Sequence, residues 1–120
     1  MKLDFVTIFP EFFEPLKLSL IGKARDKSLI EIGVHDLREQ ATNVHKQVDD
    51  TPYGGGAGMV MKADVLARAV DATAPAGDAR PRLLMSPRGT PLTQARVAEL
   101  AAGAGVVIVC GRFEGVDERL

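Results

Sequence analysis

Apolar positions along the chain change period several times, and each change marks an element. Leu3, Phe5, Thr7 and Phe9 alternate with Asp4, Val6 and Ile8, a mostly apolar stretch that predicts a buried strand closed by Pro10. From Glu11 to Lys27 the spacing turns helical, in two pieces broken around Pro15. Phe12, Phe13 and Leu16 share one face, and Leu20, Ile21 and Ala24 share the next. Ile30, Ile32 and Val34 then alternate with Glu31, Gly33 and His35, which predicts a half-exposed strand. Leu37 to Val48 fades into polar residues, and Asp49 to Met59 reads as a loop.

The second half repeats the alternation of types. Ala63 to Ala72 carries Val65, Leu66, Ala69 and Val70 at helical spacing and stops before Pro75. Thr73 to Pro81 is a surface connection, too short and ordinary for a domain linker. Leu83, Leu84 and Met85 predict a short buried strand, followed by a turn at Ser86, Pro87, Arg88 and Gly89. Thr93 is an N-cap, Leu92 and Val97 hold the spacing of a hydrophobic staple, and the helix turns Val97, Leu100 and Ala101 inward before Gly103. Val106 to Cys110, between Gly105 and Gly111, predicts the most clearly buried strand. Strands alternating with helices imply an α/β domain, a mostly parallel sheet with flanking helices.

Composition narrows what such a domain can be. At 120 residues there is room for one domain, burying somewhat under ~70% of the unfolded surface. Apolar residues at 46% and charged residues at 26% exclude wholesale disorder. The net charge of −1, spread evenly over both halves, excludes the strong basic field of a free-standing nucleic-acid binder. A lone Cys110 excludes an internal disulfide framework and a multi-cysteine zinc site, which fits a reducing compartment. His35 and His45 are too few and too isolated to argue for a metal. The apolar start contains Asp4 and is stopped by Pro10 and Glu11, so it is no secretory segment. No apolar run approaches ~18 residues, so the expectation is a cytoplasmic protein without a membrane span.

Ligands of open α/β sheets collect at the carboxyl ends of strands, and two such ends carry unusual residues. One is the Ser86–Gly89 turn. The other runs Gly111, Arg112, Phe113, Glu114, Gly115, where glycines let backbone pass close to a ligand and opposite charges flank an aromatic ring. That turn can take a purine edge through Glu114 and the backbone against Phe113; it is equally a tight strand-to-helix turn with a surface Arg–Glu pair. Four glycines at 54, 55, 56 and 58 carry an ordering cost of roughly 0.5–1 kcal/mol each relative to alanine in a regular element. No Lys-Ser or Lys-Thr follows, so this is no P-loop, and no apolar strand directly precedes it, so it is no dinucleotide fingerprint. Behind Asp49, Asp50 and Tyr53 it reads as a loop over a nucleotide or substrate site, with a flexible hinge as the plain alternative. Asp49 and Asp50 make a poor metal pair, because adjacent residues point to different sides. His45 beside Lys46 reads as exposed, His35 as a surface or rim residue, and Cys110 as a buried structural thiol.

Four segments carry a family resemblance. Phe5–Phe13 (FVTIFPEFF), Val48–Met59 (VDDTPYGGGAGM), Ser86–Gly89 (SPRG) and Cys110–Arg119 (CGRFEGVDER) resemble, in the same order, the bacterial tRNA (guanine-N1)-methyltransferases. The resemblance implies a fold of the trefoil-knot methyltransferase type, a homodimer, S-adenosylmethionine as methyl donor and tRNA as partner. The acceptor it implies is N1 of the guanine immediately 3′ of the anticodon. On matching positions the implied donor pocket is Leu84, Met85, Ser86, Pro87, Arg88, Gly111, Phe113, Glu114 and Gly115. The implied guanine contacts are Asp49, Asp50, Gly58, Arg112 and Glu114. Phe113 stands where the family commonly has tyrosine, so the ring is kept and a hydroxyl is lost.

The family pattern also runs on past these segments. It continues with a glycine-rich stretch that completes the donor site and closes the knot, then a linker, an aspartate that takes the N1 proton, and a helical domain that grips tRNA. The main catalytic base is therefore expected beyond Leu120. Residues 1–120 are expected to be a truncated N-terminal donor-binding domain, with the knot incomplete and the C-terminal tRNA-binding domain absent. Such a fragment is expected to be inactive alone. Methyl transfer is an in-line displacement, so positioning the acceptor nitrogen supplies much of the catalysis. Guanine N1 holds its proton at neutral pH; Arg112 can stabilise charge developing at O6 and Glu114 can orient the base edge, both as supporting groups. Two other readings stand beside this one: a nucleotide-binding module that uses the glycine loop for phosphate, and a purely structural dimerisation domain.

Overall fold

The computed structural model describes residues 1–40, 49–50, 60–61 and 63–111. A four-stranded sheet forms its centre: β1 (Lys2–Thr7), β2 (Glu31–Asp36), β5 (Arg82–Met85) and β6 (Gly105–Cys110), in the order β2-β1-β6-β5 with every pairing parallel. The register is set by two runs, Lys2–Thr7 against Glu31–Asp36 and Lys2–Val6 against Gly105–Val109. α1 (Ser19–Asp26), α2 (Ala63–Thr73) and α3 (Gln94–Ala102) flank the sheet in sequence between its strands, the βαβ pattern that parallel pairing requires. Asp49–Asp50 and Val60–Met61 pair antiparallel as β3 and β4. The predicted loop from Asp49 to Met59 is thus corrected at its start, where two residues of a short ladder replace it; residues 51–59 lie outside the described residues.

α2 supplies the core. Its Val65, Leu66 and Ala69, at the spacing read from the sequence, pack on Val6 and Ile8 of β1 and its end, Val109 of β6 and Leu37. Leu37 opens a short 3-10 turn (Leu37–Gln40) directly after β2 and is fully buried, although the sequence around it reads as polar. Elsewhere the Phe13 ring lies 4.6 Å from that of Phe5. Gly105 shows why the central strands sit so close at their starts: its φ is +138°, and a Cβ there would overlap the Lys2 backbone.

Three local expectations change. The first helical piece is a 3-10 helix (Pro10–Lys17) with Pro15 inside it, and the break falls at Leu18, whose backbone is extended, not at Pro15. Leu83–Met85 is not a buried strand. β5 is the edge of the sheet, and Leu84 and Met85 are 45% and 50% exposed because no described element covers them. α3 buries no residue, so Val97, Leu100 and Ala101 do not form an inward stripe; its main contacts run to β6 beside that open edge. Its N-cap is as read: the Thr93 hydroxyl accepts from the Arg96 amide at 3.2 Å.

Candidate functional site

β5 and β6 end side by side, with Met85 paired to Cys110. The chain after each strand therefore leaves from one edge of the sheet. After β5 it turns at once: the Gly89 amide donates to the Ser86 carbonyl and the Arg88 amide to the Ser86 hydroxyl, both at 3.2 Å. Ser86, Pro87, Arg88 and Gly89 are all exposed, and so is Gly111 after β6. Six sequence-derived donor positions, Leu84, Met85, Ser86, Pro87, Arg88 and Gly111, are thus brought to one place. Two are open apolar side chains and the rest lie in short backbone segments at strand ends. Cys110 beside them is half-buried, and burial pushes its thiol up, against a nucleophilic role.

The remaining sequence-derived positions fall elsewhere. Arg112, Phe113, Glu114, Gly115 and Gly58 lie outside the described residues, and so does Leu120, past which the main base is expected. Asp49 and Asp50 are placed as the backbone of β3.

The neighbouring strand ends are tied down by side chains. The Phe9 amide donates to the Thr7 hydroxyl at 3.0 Å, and the Arg38 amide to the Asp36 carboxylate at 2.9 Å. The Arg38 guanidinium donates to the Ile8 carbonyl and stands 5.8 Å from the centre of the Phe9 ring. These bonds fix the rim between β1 and β2 from within the chain.

The strongest electrostatic feature lies nearer the strand starts, and sequence reading passed over it. Asp4, in the middle of β1, is only 3% exposed and has two hydrogen-bonded partners, Arg80 Nη1 at 2.6 Å on Oδ2 and His35 Nε2 at 2.7 Å on Oδ1, with Lys2 Nζ farther off at 4.0 Å from Oδ2. Arg80, itself 5% exposed, also donates from Nη2 to Asp78 Oδ2 at 2.8 Å and from Nη1 to the Lys2 carbonyl at 3.3 Å. Burial works to raise the Asp4 carboxyl, but the His35 hydrogen bond and the Arg80 guanidinium outweigh it and hold it below the usual carboxylate range. Hydrogen bonds from Arg80 side chain and backbone bring Asp78 down to about 2. Gly33, paired with Asp4 across the ladder, makes room for the carboxylate, since a Cβ there would overlap Asp4 Oδ1. The sequence did hold a signal: a charge in the middle of an apolar parallel strand must find a buried partner.

A family model described as tRNA (Guanine-1)-methyltransferase TrmD matches residues 1–120, the whole of the sequence. The chain belongs to the tRNA (Guanine-1)-methyltransferase family. Curated relatives agree. A protein of Mesorhizobium japonicum named tRNA (guanine-N(1)-)-methyltransferase is 62% identical over 120 residues, 99% of this chain and 52% of that protein. Proteins of the same name from Chelativorans sp. and Rhodopseudomonas palustris are 61% and 62% identical over 116 residues, 96% of this chain and 49% and 46% of theirs. The chain spans about half the length of the curated relatives it matches. Membership in the tRNA (Guanine-1)-methyltransferase family agrees with the parallel α/β sheet and with helices none of which, among the described residues, is long and apolar enough to cross a membrane.

Proposed function

We propose that this chain carries the donor-binding portion of a methyl transfer from S-adenosylmethionine to N1 of the guanine immediately 3′ of the anticodon in tRNA. The observation that supports the reading is that, in a chain of this family, β5 and β6 end side by side, so that the six proposed donor positions among the described residues lie near one another. The residues fit such a donor. Leu84 and Met85 offer apolar walls for an adenine ring, and the exposed turn at Ser86–Arg88 and Gly111 offer backbone groups to a polar ligand. S-adenosylmethionine supplies a methyl group on a positively charged sulfur, ready for in-line displacement.

In this reading the chain's own groups bind and orient. Phe113, Glu114 and Gly115 complete the donor contacts. Asp49, Asp50 and Gly58 line the guanine side, where Glu114 orients the base edge and Arg112 faces the charge that develops at O6. The base that takes the N1 proton belongs to the remaining half of the longer relatives, as does the part that grips tRNA, since a net charge of −1 supplies little attraction to phosphate. The proposal extends to a trefoil-knot topology completed outside residues 1–120, a homodimer and a cytoplasmic location.

The test is methyl incorporation into tRNA transcripts by two proteins. The chain alone is expected to methylate weakly or not at all. A chimera joining it to the remaining portion of the Mesorhizobium japonicum relative is expected to methylate the guanine 3′ of the anticodon, and to lose that activity with Glu114→Ala or Arg112→Ala. Full activity of the isolated chain overturns the division of labour. A folded chimera that transfers no methyl, or calorimetry showing tighter binding of ATP or GTP than of S-adenosylmethionine, overturns the reading itself.

A further inference from the structure

β5 is held in an unusual way for a strand at a candidate site. Among the described residues it has a strand on one side only, β6, and its far end at Leu84 and Met85 is open. Beyond its ladder with β6, which runs from Arg82 to Met85, the further ties lie at its beginning. The Val107 amide donates to the Pro81 carbonyl at 2.9 Å, and Arg82 Nη2 donates to the Ala74 carbonyl at 2.6 Å. Just ahead of the strand, Arg80 reaches past β6 to the buried Asp4 of β1 and to the Lys2 carbonyl, while Asp78 braces the same guanidinium from behind. Asp4 in turn is locked from β2, the strand on the other flank of β1. His35 of β2 holds its second oxygen, and the bare Cα of Gly33 leaves the space its carboxylate occupies. A continuous polar chain thus runs from β2 through β1 to the lead-in of β5, spanning the sheet from edge to edge.

We propose that Arg80 and Asp4 form a clamp that keeps β5 docked, and that the clamp is released from the opposite edge of the sheet when Gly33 gains a side chain. Arg80 is then a positioning residue for the Leu84–Arg88 segment. The register places Arg82 beside Val107 and Val107 beside Asp4, so along the strand direction the clamp lies three residues, about 10 Å, before Met85. The consequence for donor binding rests on the function proposed above; the clamp itself does not. A buried ion pair need not add net stability, so local order of the edge is the quantity to read.

The experiment is amide hydrogen exchange on the full 120-residue chain, comparing residues 82–85 with β1 and β6. Arg80→Met and Gly33→Ala are each expected to speed exchange in 82–85 by about tenfold or more while β1 and β6 keep most of their protection, the pattern of sub-global opening. Arg80→Lys, which keeps the charge opposite Asp4 but not the fork to Asp78, is expected to fall between wild type and Arg80→Met. Gly33→Ala is the discriminating variant, because it leaves both charges in place and lies at the far edge of the sheet from β5. Uniform loss of protection, including failure of both variants to fold, overturns the clamp and makes the network a general stabiliser. Unchanged exchange in 82–85 overturns it as well. A parallel titration with S-adenosylmethionine separates the two proposals: no binding by the wild-type chain counts against the donor reading, and the exchange result still decides the clamp.

Discussion

Asp4 shows how much one charged side chain can organise. Its carboxylate is almost fully buried and has partners on both oxygens, so removing one side leaves desolvated polar groups behind. Asp4→Ala is expected to lower the unfolding free energy by about 3 kcal/mol, the low end for a broken buried pair because Arg80 keeps Asp78, as read by urea denaturation. The same geometry sets a pH dependence. Asp4 is held below its ordinary 3.8 and Asp78 at about 2, so the unfolded chain binds these protons more readily than the folded one. Their contribution is fully present above the unfolded values, at about pH 5, and is lost as pH falls through the folded ones. Urea midpoints should therefore drop between about pH 4 and pH 2, and drop less steeply in Asp4→Asn; an unchanged slope in that variant would remove Asp4 from the account.

At the scale of elements, legibility followed burial. β1, β6 and α2 were read correctly because valines, isoleucines and leucines recur there at the period of a strand or a helix, and all three meet in one core. β5 and α3 carry similar apolar residues but lie at the open edge, where sequence reading had no means to know that a face stays uncovered. Leu37 was the reverse case, a core side chain isolated among polar neighbours. Capping was legible because it is chemistry local to three residues: Thr93→Ala should cost about 1 kcal/mol and Thr93→Asp little, as measured by thermal unfolding. Two glycines separate backbone strain from crowding. Gly77, at φ +98° with no atom within 4 Å of where a methyl group would stand, should lose roughly 1–2 kcal/mol on change to alanine. Gly105→Ala should lose clearly more, because the methyl group also meets the Lys2 backbone.

For the molecule as a whole, the motifs and the fold were legible to different depths. The family was readable from four short segments because they hold rare combinations, such as the glycine run behind Asp49 and Asp50, while the α/β class followed from the alternation of periods. Of the candidate site, the sequence indicated the two strand ends at Met85 and Cys110 but not that they lie side by side, because adjacency depends on strand order, a property no local pattern encodes. The buried carboxylate bears on one more question, how the chain finds that order. Sliding β1 by two residues along either neighbour would keep each side chain on its own face of the sheet, and apolar packing alone would scarcely object. The misplaced carboxylate would object, since no guanidinium or imidazole would await it. In the native alignment Asp4 thus carries register information that the apolar residues around it do not.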